Sequence, residues 1–323
     1  MRRFAITVAA ILALSLPSGC GGEADEPPVS EPLEPATAPA VSPEADSGPT
    51  PEAETKREAA GSDASPITTQ EELRAALVKR NPGFDGEVYA QGDGQTIAVV
   101  GLGDSAIEDL SPLAGLPLER LELMGCRVRD LSPLAGMPLR VLGLEQTEVR
   151  DIGPLKGMPL SVLSLSHTQV DDISALAGSP LEELYLVRTK VTDLGPLAGM
   201  RQLRSLWLND SPVSDVAPLQ TVPLVSLTLA GTKVSDLSSL KGLPITRLHI
   251  ARSEVTDLAP LEWLQLERFV FTPGNIQAGI EHVRNMRSLR QIGTSFGEES
   301  EGRESDVVPP GEFWELYDAG KFK

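Results

Sequence analysis

The chain has 323 residues, 41% of them hydrophobic and only 4% aromatic, so its core must be aliphatic. Its 28 basic residues face 46 acidic ones, and the net charge of −18 repels phosphate backbones, which argues against a nucleic-acid binder. Two Cys exclude a disulfide scaffold and three scattered His do not make a metal site, so no cofactor is expected.

In chain order, Met1-Arg2-Arg3 is a short basic stretch and Phe4 to Leu16 a largely apolar run, followed by Pro17-Ser18-Gly19-Cys20. As a helix the run spans about 20 Å, short of a bilayer core of about 30 Å. The pattern reads as a secretory signal peptide over 1–19. Ser18-Gly19-Cys20 resembles the end of a bacterial lipobox, with Pro17 where such motifs usually carry Leu. The resemblance implies acylation of Cys20 and an exported protein, lipid-anchored to the cell membrane or outer membrane and facing the periplasm or the exterior. Plain secretion with an unmodified Cys20 is the other reading. Residues 20–66 read as a Pro-, Ala- and Glu-rich disordered tether. Its eleven acids against Lys56 and Arg57 hold half the net charge, and it cannot bury enough apolar surface to offset its ordering entropy.

From there the sequence repeats. Asp109, Asp130, Asp151, Asp172, Asp193, Asp215, Asp236 and Asp257 each open a DLxPL-like segment, at spacings of 21 residues with a single 22. Upstream of each lies one pattern, as in Leu139, Leu142, Leu144, Thr147 and Val149, or Leu181, Leu184, Leu186, Thr189 and Val191. This is the leucine-rich-repeat signature, with Thr, Ser or Cys at the usual Asn/Cys position, and it predicts an α/β solenoid with a parallel concave sheet over 97–272. Leu-x-Leu has period two, sending both side chains to the core. The Asp caps a short helical or 3₁₀ turn, Pro sets its first φ, and Gly ends it.

Caps are expected at both ends. Over 67–96, Thr69 and Glu72 form a capping box for a helix of 69–80, and a hairpin turns at Asp93-Gly94. Over 273–323, a helix of Asn275–Met286, a strand of Leu289–Gly293 and an acidic loop at 297–308 lead to Pro310–Phe322. There Phe313, Trp314 and Tyr317 either close the last core layer or form a docking peptide.

The DLSPL-type units, the segment Asn81-Pro82-Gly83-Phe84-Asp85-Gly86 and the pair VRNMRSLRQIGT (283–294) and EFWELYDAGKF (312–322) together resemble one group. It is the bacterial leucine-rich-repeat region common in planctomycetes and often fused to serine/threonine protein kinases. The resemblance covers residues 67–323. No Gly-rich ATP loop, HRD-like loop or DFG is present, so kinase activity is not implied. What is implied is a horseshoe used for recognition.

On the concave sheet, the position between the two strand leucines reads Gly101, Glu122, Gly143, Ser164, Tyr185, Trp207, Thr228, His249, Val270. Glu183 lies in the preceding outward column, and Arg188, Asp210 and Arg252 follow the strands on the rim. Tyr185 and Trp207 on adjacent strands beside Arg have the composition of an interface hot spot. They also suit a plain cross-strand pair. His249 is expected at the surface, as an ordinary residue or a pH-sensitive contact. His167 and His282 are expected on other elements, and Cys126 buried in the Thr column. The partner-binding candidates are therefore Glu183, Tyr185, Arg188, Trp207, Asp210 and His249. The expected function is non-catalytic binding of a protein or peptide by a monomeric, membrane-tethered chain. The alternative is a structural, self-associating envelope component.

Overall fold

The computed structural model describes residues 67–295 and 307–322, and in it each repeat becomes one short strand and one 3₁₀ turn. The signal peptide, Cys20 and tether expected over 1–66 lie outside the described residues, as does most of the acidic loop at 297–308. Eleven strands form one sheet in sequence order. β1 (Tyr89–Gly92) pairs antiparallel with β2 (Ile97–Gly101). Then follow β3 (Arg120–Glu122), β4 (Val141–Gly143), β5 (Val162–Ser164), β6 (Glu183–Tyr185), β7 (Ser205–Trp207), β8 (Ser226–Thr228), β9 (Arg247–His249), β10 (Arg268–Val270) and β11 (Gln291–Gly293), each parallel to the last. This is a leucine-rich-repeat solenoid.

Register makes the core. The central residue of each strand pairs with its equivalents, so Leu163, Leu184, Leu206, Leu227 and Leu248 form one row, each at most 1% exposed. Successive side chains of a strand point to opposite faces, which leaves the flanking residues on the outer face. Each layer buries its leucines only against its neighbours, so the interior runs continuously from Leu73 in the first helix to Trp314 near the end.

The turns follow the same economy. In all eight DLxPL-like segments the Asp accepts a hydrogen bond from the amide two residues on, such as Ser132 N to Asp130 Oδ1 at 2.8 Å and Gly195 N to Asp193 Oδ1 at 2.7 Å. Glycines such as Gly136 (φ 75°) then end the turn in the left-handed region. At Thr147, Thr168, Thr189, Thr232 and Ser253 of the Thr column the hydroxyl donates to the carbonyl three residues back, as Thr168 Oγ1 does to Leu165 O at 2.6 Å, which satisfies a group that is otherwise buried.

Where the turn opens with Ser, the Asp carboxyl titrates below its ordinary range. For Asp109, Asp172 and Asp236 the bond from the Ser amide weighs most, and for Asp130 the bond from the Ser132 hydroxyl. A depressed folded pKa gives stability that is present above the unfolded value of 3.8 and lost as pH falls through the folded value. The Tm should therefore decline on acidification across about pH 5 to pH 1. Replacing these four Asp by Asn, an equally good cap without the titration, should flatten that decline in circular dichroism melts. A quadruple variant with the wild-type acid limb would contradict this account.

Both ends are closed. The helix α1 (Gln70–Arg80) starts with the expected capping box, Thr69 and Glu72 each holding the other's backbone amide. Asn81, 2% exposed, then joins it to the first repeat: its Nδ2 donates to Leu77 O and Asp109 O, and its Oδ1 accepts from Glu108 N and Asp109 N. At the other end the helix expected at Asn275–Met286 is much shorter. Pro273–Asn275 forms a 3₁₀ turn, Ala278 bridges to Asp257, and only α2 (Ile280–Arg284) is helical. The reason is repeat phase: Ala278 stands 21 residues after Asp257 and continues the solenoid path, and Gly279 at φ 78° breaks the helix there. The last helix, α3 (Pro310–Asp318), inserts Phe313 against Phe271, which stacks on Phe269, and sets Trp314 edge-on to Phe313; both are buried, so the helix closes the core rather than presenting a docking peptide.

Candidate functional site

Tyr185 ends β6 and Trp207 ends β7, and the register sets them opposite each other. Their ring centroids lie 5.4 Å apart with planes tilted by 55°, and both side chains are half-buried on the outer sheet face. Glu183, two residues back on β6, shares that face and accepts a hydrogen bond from the Tyr185 hydroxyl. Burial, that bond and the charges of Glu183 and Glu145 together push the phenol pKa up, so Tyr185 stays a neutral donor.

Two more carboxylates converge nearby because position 143 is glycine. A Cβ there would lie 3.1 Å from Glu145 Oε2 and would collide with Glu122 Oε2. Burial first, then the Glu145 charge, raise the Glu122 pKa, opposed by Arg120, whose Nη2 lies 3.1 Å from Glu122 Oε1.

The rim residues are also brought together. Asp210 accepts from Arg188 Nε at 3.2 Å and from Arg252 Nη1 at 3.1 Å, so one carboxylate ties two arginines three repeats apart. It reaches Arg252 across Gly231, where a Cβ would collide with Asp210 Oδ1. Arg188, Asp210 and Arg252 adopt left-handed φ of 53°, 55° and 58°, as do Gln146 and His167 at 58° and 60°. Each such residue costs about 1–2 kcal/mol for an L side chain, offset here by a recurring bond from its amide to the next layer, such as Arg188 N to Asn209 O at 2.8 Å. His167 therefore belongs to the rim row of Arg188, on a different element from His249, which ends β9. Counting 21 residues back from Arg188 would have found it.

His249 departs from expectation. It is 5% exposed rather than presented to solvent, and Ser164 (6%), Thr228 (9%) and Val270 (1%) in the same column are buried with it. Strands about 4.8 Å apart set these side chains shoulder to shoulder, so each shields the flanks of the next. The six candidates thus divide: Glu183, Tyr185 and Trp207 form one cluster, Arg188 and Asp210 an ion-paired rim, and His249 is enclosed. Cys126 is buried as expected, and burial pushes its thiol pKa up to about 11, which suits packing and not nucleophilic chemistry. Among the described residues no group of three or more His, Cys, Asp and Glu gathers as a metal site needs.

No protein-family profile and no curated protein matches the chain. Solved structures do. An internalin (InlF) from Listeria monocytogenes str. 4b F2365 overlays with a TM-score of 0.51 at 24% identity, over 72% of this chain and 77% of that one. The PEPR1–AtPEP1 structure overlays with a TM-score of 0.50 at 17% identity, over 63% of this chain and 32% of that one. These likenesses concern the fold.

Proposed function

We propose that this leucine-rich-repeat solenoid is a non-catalytic recognition module that binds a protein or peptide on its concave sheet face, held at a membrane through an acylated Cys20 and the tether that follows. The observation that carries the reading is the Tyr185–Trp207 pair, two large side chains left half in water on a register-locked sheet beside an ion-paired Arg188. Cross-strand packing gives such a pair only about 0.2–1 kcal/mol, whereas aromatic and Arg side chains on rigid frames dominate binding energies.

A displayed library of short random peptides, selected on the full chain, tests it. Binders should fail on Trp207→Ala, whose Tm should fall by no more than a few degrees, since about 1 kcal/mol shifts a domain of this size by roughly 2–4 °C. A Trp207→Ala variant that melts far lower yet binds normally would sink the reading. For the anchor, the chain isolated from membranes should have the mass of a product cleaved before Cys20 and carrying acyl chains.

A second reading, self-association in the envelope, is favoured by the edge strand β1, whose Tyr89 is 51% exposed. Light scattering at micromolar concentration separates the two: oligomers support self-association, a monomer supports recognition.

A further inference from the structure

Charge on the outer sheet face is segregated along the solenoid. From β3 to β6 it carries Arg120 against Glu122, Glu145 and Glu183, while β9 and β10 carry Arg247 and Arg268. Arg120 is already engaged with Glu122. Among the described residues no Lys or Arg pairs with Glu145 or Glu183. The acidic half ends at the aromatic pair, where the Glu183 carboxylate meets the Tyr185 hydroxyl.

A second observation is independent of these acids. Thr228, directly opposite Trp207 on β8, is 9% exposed, and its hydroxyl has no hydrogen-bond partner among the described residues. Asn209 Oδ1, in the turn two residues past Trp207, has none either. Buried polar atoms are nearly always satisfied, so both mark a surface completed by a hydrogen-bonding partner: Asn209 Oδ1 takes a donor, and the Thr228 hydroxyl either a donor or an acceptor. Aromatic faces, two carboxylates without counter-ions, one carbonyl acceptor in want of a donor and a hydroxyl able to accept share one complement: a cationic head rich in N–H groups.

We infer that this surface takes a basic peptide segment, with a Lys or Arg head over the Tyr185 and Trp207 rings and its charge against Glu145 and Glu183. The inference rests on the reading of the sheet face as a recognition surface. Arg247 on β9 repels a uniformly basic chain, so the basic residues of the ligand are confined to the β4–β7 half.

The same displayed library reads this out. Peptides selected on the full chain should be enriched in Lys or Arg, and a selected peptide resynthesised with acetyl-lysine for lysine, or citrulline for arginine, should bind about tenfold more weakly. That difference should vanish on Glu145→Gln/Glu183→Gln, whose substitutions keep the side-chain shape, and on Trp207→Ala, which guards against general attraction to an acidic chain. Trp207-dependent peptides that lack basic residues, or that bind equally well with the charge removed, would overturn the inference while leaving the sheet-face reading in place. A library that yields no Trp207-dependent peptide would overturn the sheet-face reading, and this inference with it.

Discussion

Phe313→Ala should lower stability by about 3–5 kcal/mol, the range for a fully buried aromatic. Phe313 is 1% exposed, and its ring centroid lies 5.7 Å from Phe271, 5.1 Å from Trp314 and 4.9 Å from Phe322. The loss should be local first, because a solenoid is stabilised layer by layer through contacts with immediate neighbours. Amides of β11 and β10 should lose hydrogen-exchange protection well before those of β3 to β5, and the Tm should fall by roughly ten degrees at about 2–4 °C per kcal/mol. An unchanged melting temperature would show that α3 rests on the core without closing it. Uniform loss of protection from β2 to β11 would show that the layers unfold as one body.

The repeats were legible in the sequence because their cause is local and recurs. Leu-x-Leu, the capping Asp and the terminal Gly each act within a few residues, and many copies in phase leave no competing pattern. The capping box at Thr69 and Glu72 was legible for the same reason. The helix over Asn275–Met286 was misread because its composition is helical, while the solenoid path set by Asp257 and Ala278 holds the chain extended up to Gly279. The site was only half legible. Which residues share a row follows from counting, and that counting found Tyr185 beside Trp207 and Asp210 between its arginines. How deep each side chain sits depends on the size of neighbours some 21 residues away, so His249 and Thr228 were expected at the surface and are buried. The convergence of Glu122 and Glu145 depends on a missing Cβ at Gly143, which a search for functional side chains passes over.

Leu206→Ala tests the frame beneath the site. Leu206 is fully buried at the centre of β7, paired in register with Leu184 and Leu227. Removing its isobutyl group should cost about 2–5 kcal/mol, toward the upper part of that range if the rigid layers on either side cannot close the cavity. Unlike the loss at Phe313, this one falls mid-array, where it weakens two interlayer contacts at once. Urea unfolding should then lose cooperativity, with exchange protection failing around β6 to β8 while the layers nearer each cap hold. Because Trp207 follows Leu206 directly, ligand binding should weaken together with stability. Trp207→Ala should separate the two, losing ligand with little change in melting temperature. A Leu206→Ala chain with the wild-type urea midpoint would mean that the central row is not what holds the aromatic pair in place.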